Sequence, residues 1–442
     1  MIRSDSRKVL KGDTFIALRG INNDGHKYIL DAIDKGASKI IAEYGSYSVD
    51  TLIVNDTKEY LNKYLYDLYY DTIKDLKIIG VTGTNGKTTT CYLLYQALNM
   101  LNLKCAYIGT LGFYNLEYQE PLNNTTPDIL DIYEMLLYCK KNNYKYVAIE
   151  VSSQGLAYNR LDNILFDYTV FTNLTRDHLD FHKTMDNYAK EKQKLFKKLK
   201  PNGKKIINID DEYKDYFLDE NSITYGFNNS DYTITNVVSN LNSTHFKIND
   251  IDFITKLIGI HNVYNISVVI IILKLIGIDY KQIQNIVLNL KHAKGRMDVV
   301  EYKDNIIIID YAHTPDAVKK IIKSVSNLGN RIITIIGCGG NRDKTKRPIM
   351  GHIATELSDY VIFTSDNPRN EKPLDILDDI VQNLDTFNYE IEENREKAIK
   401  KGIQKLVKND ILLLLGKGHE DYQIINGVKY HFSDMEIVLK NI

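Results

Sequence analysis

Residues 78–90, Ile-Ile-Gly-Val-Thr-Gly-Thr-Asn-Gly-Lys-Thr-Thr-Thr, constrain this chain more than any other stretch. Ile78, Ile79 and Val81 read as the end of a buried strand. Apolar residues then recur at helical spacing (Leu93, Leu94, Ala97, Leu98, Leu101), which predicts a helix over 88–101. A glycine-rich connection between a strand and a helix N-terminus presents unpaired N–H groups, and the helix dipole there favours an anion. Glycines let the main chain approach phosphate oxygens, Lys87 adds a compact cation, and Thr88 offers a hydroxyl to Mg²⁺. The strict P-loop pattern would place its first glycine at Val81, so what is present is Gly83-x-x-Gly86-Lys87-Thr88. That is a nucleotide phosphate site whose reaction the motif does not specify.

The other features narrow the class. A chain of 442 residues predicts about three domains. With 56 Lys+Arg against 57 Asp+Glu, no basic field advertises nucleic acid. The one basic cluster, 190–205, suits a solvated helix face as well as a polyanion site. Cys91, Cys105, Cys139 and Cys338 are scattered without a C-x-x-C pair, which fits a reducing compartment and argues against a disulfide framework or structural zinc. The N-terminus lacks an apolar signal region, and the longest apolar run, 268–273, is too short to cross a bilayer. A cytoplasmic protein with no membrane insertion is expected.

Taken in order, residues 1–76 read as a small α/β unit with strands at 14–18, 39–43 and 51–54 and a helix at 28–35. Longer α/β alternation follows. A strand at 105–108 precedes Asn124-Thr125-Thr126-Pro127-Asp128, with Pro127 expected in the first turn of the next helix. A strand at 146–151 ends in Glu150-Val-Ser-Ser, and another at 168–171 runs into Asn173-Leu-Thr-Arg-Asp-His. Polar groups at the carboxyl ends of successive strands are where open α/β sheets bind ligands. His178 and His182 are four apart, but the glutamate of a zinc-protease motif is missing between them, and oxygen-held Mg²⁺ suits a phosphate site better. A helix over 186–199 gives way to strands at 205–209, 222–227, 232–237 and 244–248, then helices at 263–275 and 280–290. From 295 the alternation resumes, with strands at 306–310, 331–337, 360–365 and 411–415. Gly337-Cys-Gly-Gly340 is not a dinucleotide fingerprint, because its third glycine position holds Arg342.

With these motifs in order, the chain resembles the Mur ligases, the ATP-dependent amino-acid ligases of peptidoglycan precursor synthesis. The resemblance continues through His261-Asn262, Gly295-Arg296-Met297, Asp310-Tyr-Ala-His-Thr-Pro, Gly339-Gly-Asn-Arg-Asp-Lys, Asp366-Asn-Pro-Arg and Gly416-Lys-Gly-His-Glu. That series is similar to the branch adding the third residue, the UDP-N-acetylmuramoyl-tripeptide synthetases, and covers nearly the whole chain.

The resemblance implies an α/β fold in three domains: 1–76 for the UDP substrate, 77–294 as a central P-loop ATPase-like domain, and 295–442 as a Rossmann-like amino-acid domain. It implies ATP and Mg²⁺ as cofactors, a UDP-N-acetylmuramoyl dipeptide and a diamino acid as substrates, an acyl-phosphate intermediate, and a monomer. By resemblance Gly83, Thr84, Asn85, Gly86, Lys87, Thr88, Thr89, Asn262, Arg296 and Asp310 hold ATP. Thr88, Glu150, His178 and a carbamylated Lys192 attend the metal, and Lys87, Glu150, His178 and Lys192 serve catalysis. Asn124, Thr125, Thr126, Ser152 and Arg160 match contacts to the UDP-muramoyl dipeptide, and Ser6 a uridine-side contact. Arg342, Asp366, Asn367, Pro368, Arg369, Gly416 and Glu420 match contacts to the added amino acid, with meso-diaminopimelate expected and L-lysine the alternative. Family members carry extra residues before Asp5-Ser6-Arg7, so a reduced uracil-side wall or an incomplete chain start is expected. At Tyr158 some relatives have a substrate-contacting glutamine, and that role does not carry over. The rival readings are a sister ligase adding another amino acid, D-alanyl-D-alanine or folate-linked glutamate, and a nucleotide-binding protein without ligase chemistry.

Overall fold

A computed structural model describes residues 2–20, 24–240, 243–326 and 328–442. Three sheets succeed one another along the chain. The first is a four-stranded parallel sheet of Ile2–Arg3, Thr14–Ile16, Lys39–Ala42 and Asp50–Ile53. One of its faces buries Phe15, Ala17, Ile29 and Ile40. Ile16 and Ile41 instead join Leu61 and Leu65 of helix Thr57–Ile73 in a core shared with the next unit.

The second sheet has eleven strands and is centred on Lys77–Thr82. This strand pairs in parallel with Phe166–Phe171 and Tyr146–Glu150, so all three are covered on both faces and read as continuous apolar runs. Cys105–Gly109 extends the sheet beyond Tyr146–Glu150, followed by the short strands Gly112–Tyr114 and Gln119–Glu120. Beyond Phe166–Phe171 lie Leu199–Asn208, Ser222–Gly226 and a meander of Tyr232–Ser239, Thr244–Ile248 and Ile251–Thr255. Helix Ile260–Leu275 is buried over most of its surface, as its nearly unbroken apolar sequence requires.

The third sheet has six strands, ordered Asp298–Tyr302, Asn305–Asp310, Ile411–Leu415, Ile332–Ile336, Tyr360–Phe363 and Tyr389–Ile391. Only the first is antiparallel to its neighbour. The hairpin Tyr422–Ile425/Val428–His431 and helix Asp434–Asn441 end the chain. That last helix is anchored by a fully buried pair, in which Arg395 donates to both Asp434 oxygens at 2.8 and 2.7 Å and to the Leu415 carbonyl at 3.0 Å.

Several expectations need correction. The helix expected over 186–199 stops at Gln193, tightens into a 3₁₀ turn over Lys194–Lys198, and Leu199 already begins a strand. Pro201 and Gly203 lie within that strand's irregular first half, where propensity alone marks no strand. Pro127 precedes the Asp128 N-cap and is not in the first turn of helix Ile129–Lys141. Helix Ile260–Leu275 starts three residues early, which brings His261 and Asn262 into its first turn. Ile251–Thr255, Asp298–Tyr302, Tyr389–Ile391 and the terminal hairpin are short or half-exposed strands that the periodicity did not reveal. Among the described residues no helix is long and apolar enough to cross a membrane.

Candidate functional site

The carboxyl ends of the central and C-terminal sheets face one another across a cavity of about 620 Å³. Gly86 lies on its floor, and Gly83 belongs to the same loop without lining the cavity. Gly83 has φ 150°, and a Cβ there would sit 1.9 Å from the Thr172 hydroxyl; Gly86 has φ 89° and caps helix Lys87–Met100. The Lys87 ammonium folds back onto the carbonyls of Gly83 and Thr84, at 2.9 Å each. Burial pushes its pKa below the ordinary lysine value, opposed by Glu150 and Asp177.

Glu150 is fully buried at the end of its strand, and four groups fix its carboxylate. Oε2 accepts from the Thr88 hydroxyl at 2.8 Å and the Thr110 hydroxyl at 3.2 Å; Oε1 accepts from Thr110 N at 2.9 Å and from the Tyr107 hydroxyl. Burial and the Glu150 charge raise the Tyr107 phenol well above its usual value, so it remains the donor. Thr88 and Glu150 thus present adjacent hard oxygens of the kind Mg²⁺ takes, and His178 lines the same cavity.

Lys192 is not on a solvated face. It is 1% exposed, its Nζ donates to the Gly83 carbonyl at 2.9 Å, and it lies over the Tyr188 ring. Burial, reinforced by the Lys87 charge, drops its pKa well below the lysine norm, which favours the unprotonated amine more than water would. His178 stands outside the short helix Leu179–His182 with φ 53°, while His182 contacts the Ser153 hydroxyl at 2.9 Å and stacks on Tyr188. The two histidines therefore do not form a ligand pair on one helix face.

The C-terminal unit closes the cavity from above. Asn85 donates to Asp316 at 3.0 Å, Arg296 to the Thr88 hydroxyl at 3.2 Å, and Arg176 to the Thr345 hydroxyl at 2.7 Å. Asp177 is buried between His178, His313 and Lys346, at 3.5, 4.0 and 3.6 Å. Burial opposes ionisation there, but these three groups hold its carboxyl below the usual range. Asp310 accepts from Met297 N and Ala312 N, which fixes the turn carrying Arg296 against the turn carrying His313.

Asn124, Thr125, Ser152 and Arg160 line the cavity's other end. Ser152 caps helix Ser153–Ala157, and Arg160 pairs with Asp128 at 2.8 Å while donating to the Thr126 carbonyl at 2.9 Å. Thr126 itself is buried, bonded to the Glu150 carbonyl and Ser152, so it supports this wall from behind. Ser6 is buried in a 3₁₀ turn of the N-terminal unit and does not line the cavity; nor do Gly83 and Pro368.

Arg342, Asp366, Asn367, Arg369, Gly416 and Glu420 do line it, on the loops that follow three parallel strands. Arg369 has φ 55° and donates to the Gly340 carbonyl at 2.9 Å; a parallel bridge to Ile425 of the terminal hairpin holds its backbone. Burial and the nearby Arg342 lower its pKa, and among the described residues no carboxylate forms an ion pair with either arginine. The residues that sequence reasoning missed are Tyr107, Thr110, Asp177, His313, Lys346 and Lys417. Asp177, His313 and Lys417 lie inside motifs already singled out, but only the fold shows what they face.

Comparisons with known proteins agree along the whole chain. Residues 1–65 match the Mur ligase family catalytic domain, 81–273 the Mur ligase middle domain, and 295–418 the Mur ligase glutamate ligase domain. A UDP-N-acetylmuramoyl-L-alanyl-D-glutamate–2,6-diaminopimelate ligase of Fusobacterium nucleatum is 42% identical over 455 residues, covering 100% of this chain and 93% of its own. One of the same description from Clostridioides difficile is 39% identical, covering 99% and 93%. A solved structure of such a ligase superposes with a TM-score of 0.69 at 33% identity, over 100% of this chain and 94% of that one. A Thermotoga maritima MurF ligase in complex with ADP shares the fold at 21% identity, with a TM-score of 0.71 and coverage of 99% and 96%.

Proposed function

The chain belongs to the Mur ligase family, and on that premise we propose that it joins meso-diaminopimelate to UDP-N-acetylmuramoyl-L-alanyl-D-glutamate, with ATP converted to ADP and phosphate. The observation that carries this reading is that one cavity holds both the phosphate loop and a recess bearing Arg342, Arg369, Asp366 and Glu420. Such a recess offers charge of both signs, as the second zwitterionic centre of diaminopimelate requires.

The D-glutamyl γ-carboxylate attacks the γ-phosphorus of ATP, releasing ADP and forming an acyl phosphate. The amine of diaminopimelate then attacks the acyl carbon, phosphate leaves, and the amine proton passes to solvent or a nearby base. Phosphoryl transfer is mainly positioning and charge neutralisation. Gly83, Thr84, Asn85, Gly86 and Thr89 would cradle the phosphates with Lys87, while Asn262, Arg296 and Asp310 hold the nucleotide, the last two from the C-terminal side. Thr88 and Glu150 would hold Mg²⁺ with His178, and the ion, when bound, neutralises phosphate charge. Lys192, whose pKa burial lowers, would add CO₂ through the unprotonated form of its amine, losing a proton and gaining an anionic carbamate that would serve as a further oxygen ligand. The contacts closing the C-terminal unit on the central one exclude water that would hydrolyse the acyl phosphate.

In this reading residues 1–76 and Ser6 serve the uridine end, 77–294 the ATP, and 295–442 the amino acid. Asn124, Thr125, Thr126, Ser152 and Arg160 serve the muramoyl dipeptide, Asn367 and Gly416 complete the amino-acid recess, and Pro368 stiffens the turn that presents Arg369. A monomer is part of this reading, and four free buried cysteines support a cytoplasmic setting. The test is phosphate release from ATP in the presence of the muramoyl dipeptide nucleotide across a panel of amino acids. Release that depends on meso-diaminopimelate supports the reading, and release that no amine stimulates would sink it.

A further inference from the structure

Lys417 has no place in the reading above, although its side chain is fully buried between two parts of the amino-acid recess. Its Nζ donates to the Tyr422 carbonyl at 2.6 Å and lies 3.2 Å from Glu420 Oε2 and 3.4 Å from Asn367 Oδ1. Asn367 is equally committed. Its Nδ2 donates to Glu420 Oε2 at 2.7 Å, and its Oδ1 accepts from Ile424 N at 2.9 Å. Asn367 therefore spends its amide on the protein and has little left for a ligand. The hairpin completes the frame: Gln423 Nε2 donates to the Asp366 carbonyl at 2.6 Å, and Arg369 N to the Ile424 carbonyl at 2.9 Å.

We propose that Lys417 is a positioning residue for the diamino acid: it ties Glu420 and Asn367 to the terminal hairpin so that Glu420 Oε1 faces the incoming distal ammonium. This rests on the diamino-acid reading of the recess. With Oε2 bound to Lys417 and Asn367, only Oε1 is free of those contacts. The charge matters as well as the geometry. Glu420 is opposed by burial and by Asp366, both of which push its carboxyl up, and Lys417 counters them. The other groups facing it are Arg369 on the adjoining loop, Arg395 on helix Arg395–Gln404, Tyr311 after strand Asn305–Asp310, and Tyr422 of the hairpin. Among these Lys417 is the cation in direct contact with Glu420. Without it, the Glu420 carboxyl should be pushed further up, toward the protonated form that does not attract an ammonium.

The experiment measures KM and kcat for meso-diaminopimelate by phosphate release, at about pH 6, 7 and 8, in the unmodified protein, Lys417→Met, Glu420→Gln and the double variant. Lys417→Met should raise this KM about tenfold at the highest pH and further as pH falls, with the KM for ATP within about twofold of normal. In the Glu420→Gln background it should add nothing. An unchanged KM, or a rise that is equal at every pH and persists beside Glu420→Gln, overturns the proposal. If Lys417→Met does not fold, the ratio of KM values between Glu420→Gln and the unmodified protein decides alone. A ratio constant over the range supports the proposal; one that shrinks toward the acid end shows Glu420 protonating beside Lys417 and overturns it. Absence of any diamino-acid dependence in the unmodified protein overturns instead the reading of the recess, and this assignment with it.

Discussion

Arg296 places Nη2 3.2 Å from the hydroxyl of Thr88, a residue 208 positions earlier in the chain, while its guanidinium lies 4.6 Å from the Tyr311 ring centroid. The C-terminal unit thus delivers a fixed cation to the phosphate loop. Its value depends on planar stacking and on aim, which lysine reproduces poorly. Arg296→Ala should lower kcat/KM for ATP by about 10²–10³, in line with removal of one preorganised stabiliser, and Arg296→Lys should recover little of it. Steady-state kinetics with varied ATP check this, and near-normal kcat/KM in the lysine variant would refute the stacking argument.

Tyr107 is the second device of this kind, and it lies wholly behind the site. Its hydroxyl donates to Glu150 and accepts from Leu111 N at 3.2 Å. Tyr107→Phe keeps the ring and strands both partners, so unfolding free energy should fall by about 1–3 kcal/mol. Mg²⁺ affinity measured calorimetrically with ADP should fall as well, since Glu150 loses an orienting bond. Unchanged values in both measurements would make the hydroxyl dispensable.

What could be read in advance was the part written in local pattern. The phosphate loop, the buried parallel strands and the polar residues at their carboxyl ends follow from periodicity and glycine placement. Ile411–Leu415 is five apolar residues and became a central strand. The terminal hairpin is half-exposed and carries no alternation, yet its pairing with Arg369 shapes the amino-acid recess. Lys192 shows the limit clearly. One lysine among five between 190 and 198 has no local mark of burial, and only the packing of helix Met185–Gln193 under the phosphate loop removes it from water.

That burial gives Lys192 a testable chemistry. Lys192 Nζ lies 2.9 Å from the Gly83 carbonyl, and its lowered pKa favours the unprotonated amine, the form that can take up CO₂. Lys192→Ala should lose most activity, and bicarbonate or small carboxylates should restore part of it by supplying the missing oxygens. Full activity in the unsupplemented variant would rule out a catalytic carbamate.

Acid should destabilise the closed cleft through its histidines. Burial lowers His261 to about 3 and His292 to about 4, from the ordinary 6.5. Both stay neutral in the folded protein while the unfolded chain takes up protons, so the unfolded state binds more of them as pH falls. Their contribution is intact above 6.5 and is lost as pH drops through the window down to about 4 for His292 and about 3 for His261. Denaturant unfolding should show stability falling by about 1–3 kcal/mol per histidine between about pH 7.5 and 5. A flat profile would mean that water reaches these rings.

The identity of the amino acid turns on Arg369. Diaminopimelate and L-lysine share an L-centre and a side chain ending in an amine, and differ in the second carboxylate. A site that selects it needs a cation aimed at that group, and arginine's planar fork suits a carboxylate better than lysine's point charge. Arg369 is half-buried and held by the hairpin, and its Nη1 donates to the Gly340 carbonyl at 2.9 Å; no ion pair to it occurs among the described residues. A surface ion pair therefore does not explain its position. Gly339, against which both Arg342 and Arg369 pack, would clash with Arg369 if it carried a Cβ, so the two cations share one small recess. Losing the charge-assisted contact should cost about 2–5 kcal/mol in kcat/KM for meso-diaminopimelate. Lysine, which lacks the carboxylate, should be used poorly by the unmodified protein and no worse by Arg369→Ala. The assay compares both amino acids on both proteins. A native preference for lysine, or a diaminopimelate preference that survives in Arg369→Ala, would show that Arg369 does not read the second carboxylate.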